Sequence, residues 1–185
     1  MPTVKNVSAG KPKVAGAIYR APLGTALPTD ATTALAQTFV DMGYISEDGV
    51  TNSNGPETEK IRAWGGQTVL IVSTDKPDTF QLTFLESLNA NVLETVYGEA
   101  NVTEDTGAGT ISVVANAAAL TDHVYVMDLA MRDGALKRIV IPKGSLSELG
   151  DIVYKDDEAV GYEVTLDCMP DAQGNTHYEY IKQAT

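Results

Sequence analysis

Two stretches, Thr79-Phe80-Gln81-Leu82-Thr83-Phe84-Leu85 and Gly161-Tyr162-Glu163-Val164-Thr165-Leu166-Asp167-Cys168-Met169, alternate apolar and polar residues almost without a break. In an extended chain successive side chains point to opposite faces. Phe80, Leu82 and Phe84 therefore share one face, with Thr79, Gln81 and Thr83 on the other. Likewise Tyr162, Val164, Leu166 and Cys168 lie opposite Glu163, Thr165 and Asp167. Strands dry on one side and wet on the other belong to antiparallel sheets covered on a single face.

The neighbouring sequence extends this reading. Strand signals recur at residues 39–45, 68–73, 110–115, 123–132 and 136–141. Within 68–73, Val69-Leu70-Ile71-Val72 has the composition of a buried strand. Asp48-Gly49 and Asp133-Gly134 predict hairpin turns, because such turns need positive φ at both central residues. Asp156-Asp157-Glu158 and Gln173-Gly174-Asn175 punctuate later strands. One helix is predicted over 88–97: Leu88, Val92 and Val96 repeat every fourth residue, Ser87 can cap its start, and Gly98 can end it. The spacing contains no βαβ alternation. The expected fold is mainly β, an antiparallel β-sandwich or barrel with one flanking α-helix. Residues 1–13 read as a flexible arm and 14–185 as a single domain, with long loops at 21–37 and 47–56.

The chain has 185 residues, enough to bury a core without crosslinks. Its single cysteine, Cys168, permits no internal disulfide and fits folding in a reducing cytoplasm. No apolar stretch approaches the roughly 18 residues of a membrane helix, and the start lacks a signal-peptide core. Against 13 Lys and Arg stand 25 Asp and Glu, a net charge of −12. That balance argues against nucleic-acid binding, which needs clustered cations.

No catalytic, cofactor or metal site emerges. His123 and His177 lack metal-ligand spacing to each other or to Cys168, and read as plain strand or surface residues. Cys168 falls on an apolar strand face and reads as a small buried hydrophobe. Gly107-Ala108-Gly109 lacks the third glycine and the helix of a dinucleotide loop, and Trp64-Gly65-Gly66 reads as a turn. Asp156-Asp157-Glu158 lacks calcium-loop spacing.

Three stretches carry a resemblance. They are Ala17-Ile18-Tyr19-Arg20-Ala21-Pro22-Leu23-Gly24-Thr25-Ala26-Leu27-Pro28, then Met42-Gly43-Tyr44-Ile45-Ser46-Glu47-Asp48-Gly49-Val50, then Met131-Arg132-Asp133-Gly134 leading into Arg138-Ile139-Val140-Ile141-Pro142-Lys143-Gly144. With the late strand at 161–166 and Pro170-Asp171, they make the chain similar to major tail tube proteins of long, non-contractile-tailed bacteriophages, whose fold is similar to the inner-tube protein of type VI secretion. The resemblance implies a structural subunit of the virion tail, assembled in the host cytoplasm, with no enzymatic role. It implies hexameric rings that stack into a tube, with tape-measure, tail terminator and baseplate or tail-tip proteins as partners. Viral DNA would pass through without specific binding, and an anionic lumen, within a ring carrying −72 for six copies, would repel it. Candidate lumen residues are Glu57, Glu59, Thr79, Gln81, Thr83, Glu163, Thr165 and Asp167. Candidate contacts between subunits or rings are Pro22, Leu23, Gly24, Pro28, Asp48, Asn52 and Asn54, with the arm and both long loops ordering on assembly. Another class of function, a β-sandwich module binding glycans, would use an exposed Trp64; a tail terminator or capsid decoration protein is a neighbouring structural role.

Overall fold

The structure, a computed structural model, describes residues 7–12 and 17–184. Among these, thirteen strands and one helix follow in order: β1 (Lys11–Pro12), β2 (Ile18–Pro22), β3 (Val40–Asp41), β4 (Ile45–Ser53), β5 (Glu57–Arg62), β6 (Thr68–Asp75), β7 (Thr79–Phe84), α1 (Ala90–Tyr97), β8 (Val102–Asp105), β9 (Thr110–Val113), β10 (His123–Ala130), β11 (Leu136–Leu149), β12 (Tyr162–Cys168) and β13 (Tyr178–Lys182). The fold is mainly β, with antiparallel pairing throughout and no closed barrel among the described residues. Of the expected arm, residues 1–6 and 13 lie outside the described residues, while β1 pairs with the end of β10.

The main sheet runs β3-β2-β10-β11-β12-β7-β4. The fourteen-residue β11 joins its two halves. Its first part, Leu136 to Val140, pairs with β13; its second, Gly144 to Leu149, pairs with β12 on the way to β7 and β4. The exchange of neighbours falls at Pro142-Lys143-Gly144. Pro142 cannot donate a ladder hydrogen bond, and a Cβ on Gly144 would sit 2.7 Å from the Tyr125 ring. One continuous core takes residues from both halves: Ile18, Tyr125, Met127, Ile139 and Ile141 from one, and Phe80, Leu82, Phe84, Val164 and Leu166 from the other. The sheet therefore curls over onto itself as a sandwich, with Val92, Leu93 and Val96 of α1 filling the same core. The apolar faces read from the sequence for β7 and β12 are the ones buried.

Several expectations are corrected. The helix begins at Ala90: Asn89, and not Ser87, caps it by accepting from the Asn91 N–H, and Leu88 lies outside the stripe at 86% exposure. Gly98 does end it, at φ 94°. Asp48-Gly49 forms no hairpin. It lies inside β4, where the register jumps from Ile45 opposite Phe84 to Val50 opposite Leu82, and Gly49 takes φ 74° to absorb the bulge. Most of the expected loop 47–56 is thus strand. Asp133-Gly134 is the turn expected between β10 and β11, with φ 60° and 85° and the Ala135 N–H donating to the Arg132 carbonyl.

The loop after β2 is pinned by charge. Arg138 is 1% exposed and lies directly across from Asp128, with donor distances of 2.6 and 2.9 Å. Its remaining nitrogen donates to the carbonyls of Asp30 and Thr33. Asp30 in turn accepts from the backbone and hydroxyls of Thr32 and Thr33, which holds its carboxyl far below the usual range. Arg138 of β11 thus holds the middle of the expected loop 21–37 at Asp30 and Thr33.

Candidate assembly surfaces

Strands β5 and β6 form a two-stranded sheet of their own. Every residue of both strands is exposed, so neither face packs on the rest of the chain. This reverses the expectation of a buried strand at 68–73: Val69, Leu70, Ile71 and Val72 all face solvent, as does Ile61. At the tip, Ala63-Trp64-Gly65-Gly66-Gln67 makes the turn foreseen from its glycines, with φ 107° at Gly65 and 88° at Gly66. Trp64 is fully exposed. Five large apolar side chains and an indole on one unsupported hairpin form an apolar surface of the kind that marks an interaction site. A glycan platform would need more than the hairpin's single aromatic ring.

The root of this hairpin is anchored. Asp78, 5% exposed, sits between β6 and β7 and accepts from Asn52 at 2.9 Å, Thr176 at 2.5 Å and His177 Nδ1 at 2.5 Å. Burial alone would raise its pKa, but these hydrogen bonds, led by Thr176 and His177, hold it lowered. Its carbonyl accepts from the Cys168 N–H. One carboxylate thus ties the end of β4, the start of β7 and the segment before β13 to the place where the hairpin leaves the body.

A second surface is the polar side of the β4-β7-β12-β11 half. Register places Thr79 opposite Asp167, Gln81 opposite Thr165 and Thr83 opposite Glu163, so six of the candidate lumen residues converge on one face. Gln81 donates to Glu163 at 2.7 Å. Thr51 and Ser53 of β4 continue the rows beyond Gln81 and Thr79, and Ser145 and Glu148 of β11 continue them beyond Asp167 and Thr165. The face carries hydroxyls, an amide and three carboxylates, and none of these positions is Lys or Arg. Glu57 and Glu59 stand apart on β5. Such a face was legible residue by residue in the alternation; its extent over four strands was not, because register is a tertiary fact.

The remaining candidates are scattered. Pro22 ends β2; Leu23 and Gly24 form the exposed turn after it, and Pro28 lies half-buried in the pinned loop. Asp48 is exposed in the β4 bulge, where it accepts from Ser46. Asn52 turns its amide inward to Asp78, and Asn54 begins the approach to β5.

Neither histidine is a plain surface residue. His177 bonds Asp78, and His123 is 4% exposed with Nε2 2.9 Å from Glu99. The bond from His123, reinforced by Arg20, outweighs burial and lowers the Glu99 pKa. Arg20, itself buried, bonds Glu94 and Thr95 of α1, so this cluster fastens the helix to β2 and β10. Cys168 is buried as expected, and burial raises its thiol pKa to about 12. Among the described residues, no group of three or more His, Cys, Asp and Glu side chains could hold a metal, and no helix is long and apolar enough to cross a membrane.

No curated protein sequence matches the chain. A family model described as phage tail tube protein matches residues 10–185, which takes in the hairpin, the polar face and every pinned loop described above. The chain belongs to the phage tail tube protein family and is a structural tail subunit.

Proposed function

We propose that six copies close into a ring, that rings stack into the tail tube, and that the polar side of β4, β7, β12 and β11 lines its bore. The observation that carries this reading is the wide face of carboxylates, hydroxyls and amide across four strands, of which the central β7 and β12 bury their other side in the core. Strand β4 is the border of that sheet, and unpaired borders recruit further strands. Closing the borders around a rotation axis removes them. Four strands from each of six copies give a wall of about 24, wider than the 16–18 strands at which barrels already hold an aqueous channel.

In such a bore Glu163, Asp167 and Glu148 repel phosphates, while Thr79, Gln81, Thr83 and Thr165 stay hydrated. Passing DNA meets no cation on which to pause. Tube length and the two ends belong to tape-measure, terminator and tail-tip partners. The hairpin β5–β6, with its exposed Trp64, reaches a neighbouring copy; Leu23, Gly24 and Asp48 lie among the exposed loops offered for contacts between rings.

The test is a Glu163→Lys/Asp167→Lys variant carried in assembled tails. Tubes should still form, DNA release from the virion should slow, and purified tubes should retain added duplex DNA at low salt. Wild-type release and no DNA retention would place this face away from the bore.

A further inference from the structure

The pairing inside the exposed hairpin sorts its charges by face. Glu59 lies opposite Val72, and Ile61 opposite Leu70. Residues directly opposite in an antiparallel pair share a face, and Glu57, two residues before Glu59, lies on the same side with its partner Asp75. One face is thus acidic at the root and apolar toward the tip: Glu57, Asp75, Glu59, then Ile61, Leu70 and Val72. The other pairs Lys60 with Ile71, Thr58 with Ser73 and Arg62 with Thr68. It carries both of the hairpin's cations and no carboxylate. The register shifts between Glu57 and Thr58 and between Ile61 and Arg62 leave Thr74 and Val69 as extra residues on β6, whereas β5 has none and sorts its own charges, with Glu57 and Glu59 on one side and Lys60 and Arg62 on the other. Among the described residues, Glu57, Glu59, Lys60 and Arg62 form no ion pair, although all are exposed and close in sequence.

We infer that the occupant of each face is the hairpin of another copy: the acidic face of one packs against the basic face of the next, head to tail. The inference rests on the proposal above that the hairpin is a contact between copies. Charge complementarity selects the pairing. Acidic on acidic and basic on basic would both juxtapose like charges, while acidic on basic matches Glu59 and Glu57 to Lys60 and Arg62 and lays Ile61, Leu70 and Val72 near Ile71. Because the two faces differ, the contact is heterologous, so it continues from copy to copy until it closes into a ring or runs on as a filament. A self-complementary pair that stops at two copies is disfavoured by the same like-charge repulsion. The apolar residues supply attraction, and the charges set which face meets which.

The test uses the full chain and two variants, Glu57→Lys/Glu59→Lys and Lys60→Glu/Arg62→Glu, with assembly seeded by fragments of finished tube and read by pelleting and negative-stain microscopy. All four positions are exposed, and unchanged near-ultraviolet circular dichroism verifies the fold. Each variant alone should need at least about tenfold more protein to assemble. An equimolar mixture should recover assembly, with both variants in near-equal amounts in the pellet, because each then offers the face the other lacks. The fourfold variant with both faces exchanged should assemble by itself. A deletion variant, in which a short glycine linker replaces residues 57–75, separates two failures. If that deletion blocks assembly but the mixture does not recover it, the hairpin joins copies in another way and the pairing is wrong. If the deletion assembles normally, the hairpin is not a contact, and both the pairing and the contact role fall together.

Discussion

Trp64 is the chain's one tryptophan and stands at the tip of the hairpin with its ring in solvent. Emission from the isolated chain should resemble that of indole in water. If the tip docks on another copy, the maximum shifts to shorter wavelength as tubes form and returns on dissociation; an unshifted spectrum in assembled tubes would remove the tip from the contact. Cys168 makes the opposite case. With its thiol raised to about 12 and its side chain buried, the folded chain should resist thiol reagents near pH 8 and react fully once unfolded. Asp78 carries a pH dependence. Its folded-state pKa is depressed, so its stabilising contribution is complete above the ordinary carboxyl range and is lost as pH falls through the lowered value. Denaturant titrations across acidic pH should show that loss, and Asp78→Asn should flatten it while lowering stability at neutral pH. The alternation exposed Cys168's burial directly, but nothing in the sequence marked Asp78 as a hub, because its partners Asn52, Thr176 and His177 are distant in the chain.

Strands β7 and β12 were legible because each has one dry and one wet face, so their period of two survives in the residue order. Hairpin β5–β6 misled for a definite reason: Val69 to Val72 have the composition of a core strand, yet the rest of the chain does not cover them. Strand β4 was hidden by Ser46-Glu47-Asp48-Gly49, whose polar composition is that of a loop but which here forms a bulged border strand. The loop at 23–39 hid its anchor, since its Thr and Ala content gave no sign of Arg138, which bonds the Asp30 and Thr33 carbonyls. That arginine holds the loop carbonyls while paired with Asp128 in the interior. Removing one partner of a buried pair leaves an uncompensated charge and costs about 3–5 kcal/mol. Arg138→Met should therefore lower the unfolding free energy by that order in urea melts and open residues 23–39 to limited proteolysis. A variant with wild-type stability and an intact loop would show that the pair does not secure it. At the helix start, Asn89→Ala should cost about 1 kcal/mol, measurable in the same titrations, whereas Ser87→Ala should be neutral.

Across the whole molecule the two proposed surfaces divide the work. The sandwich buries an apolar core common to both halves of the sheet, and its acidic outer face is left wet. The hairpin leaves its apolar residues wet as well, a surface of the kind that marks an interaction site, and the proposed occupant is another copy. The sequence disclosed the net charge of −12 and the polar strand faces; it did not disclose that six of the candidate residues meet on one surface while Glu57 and Glu59 sit on the hairpin. That surface, closed by neighbouring copies, is the proposed wall of the tube, and electron cryomicroscopy of assembled tails would reveal or refute it at a glance. Six copies are expected around each level, with Thr79, Gln81, Thr83, Glu163, Thr165 and Asp167 pointing into the bore and β4 bordering the next copy's sheet. A bore lined mainly by lysine and arginine, or by a different face of the sandwich with β4 left unpartnered, would be incompatible with that wall.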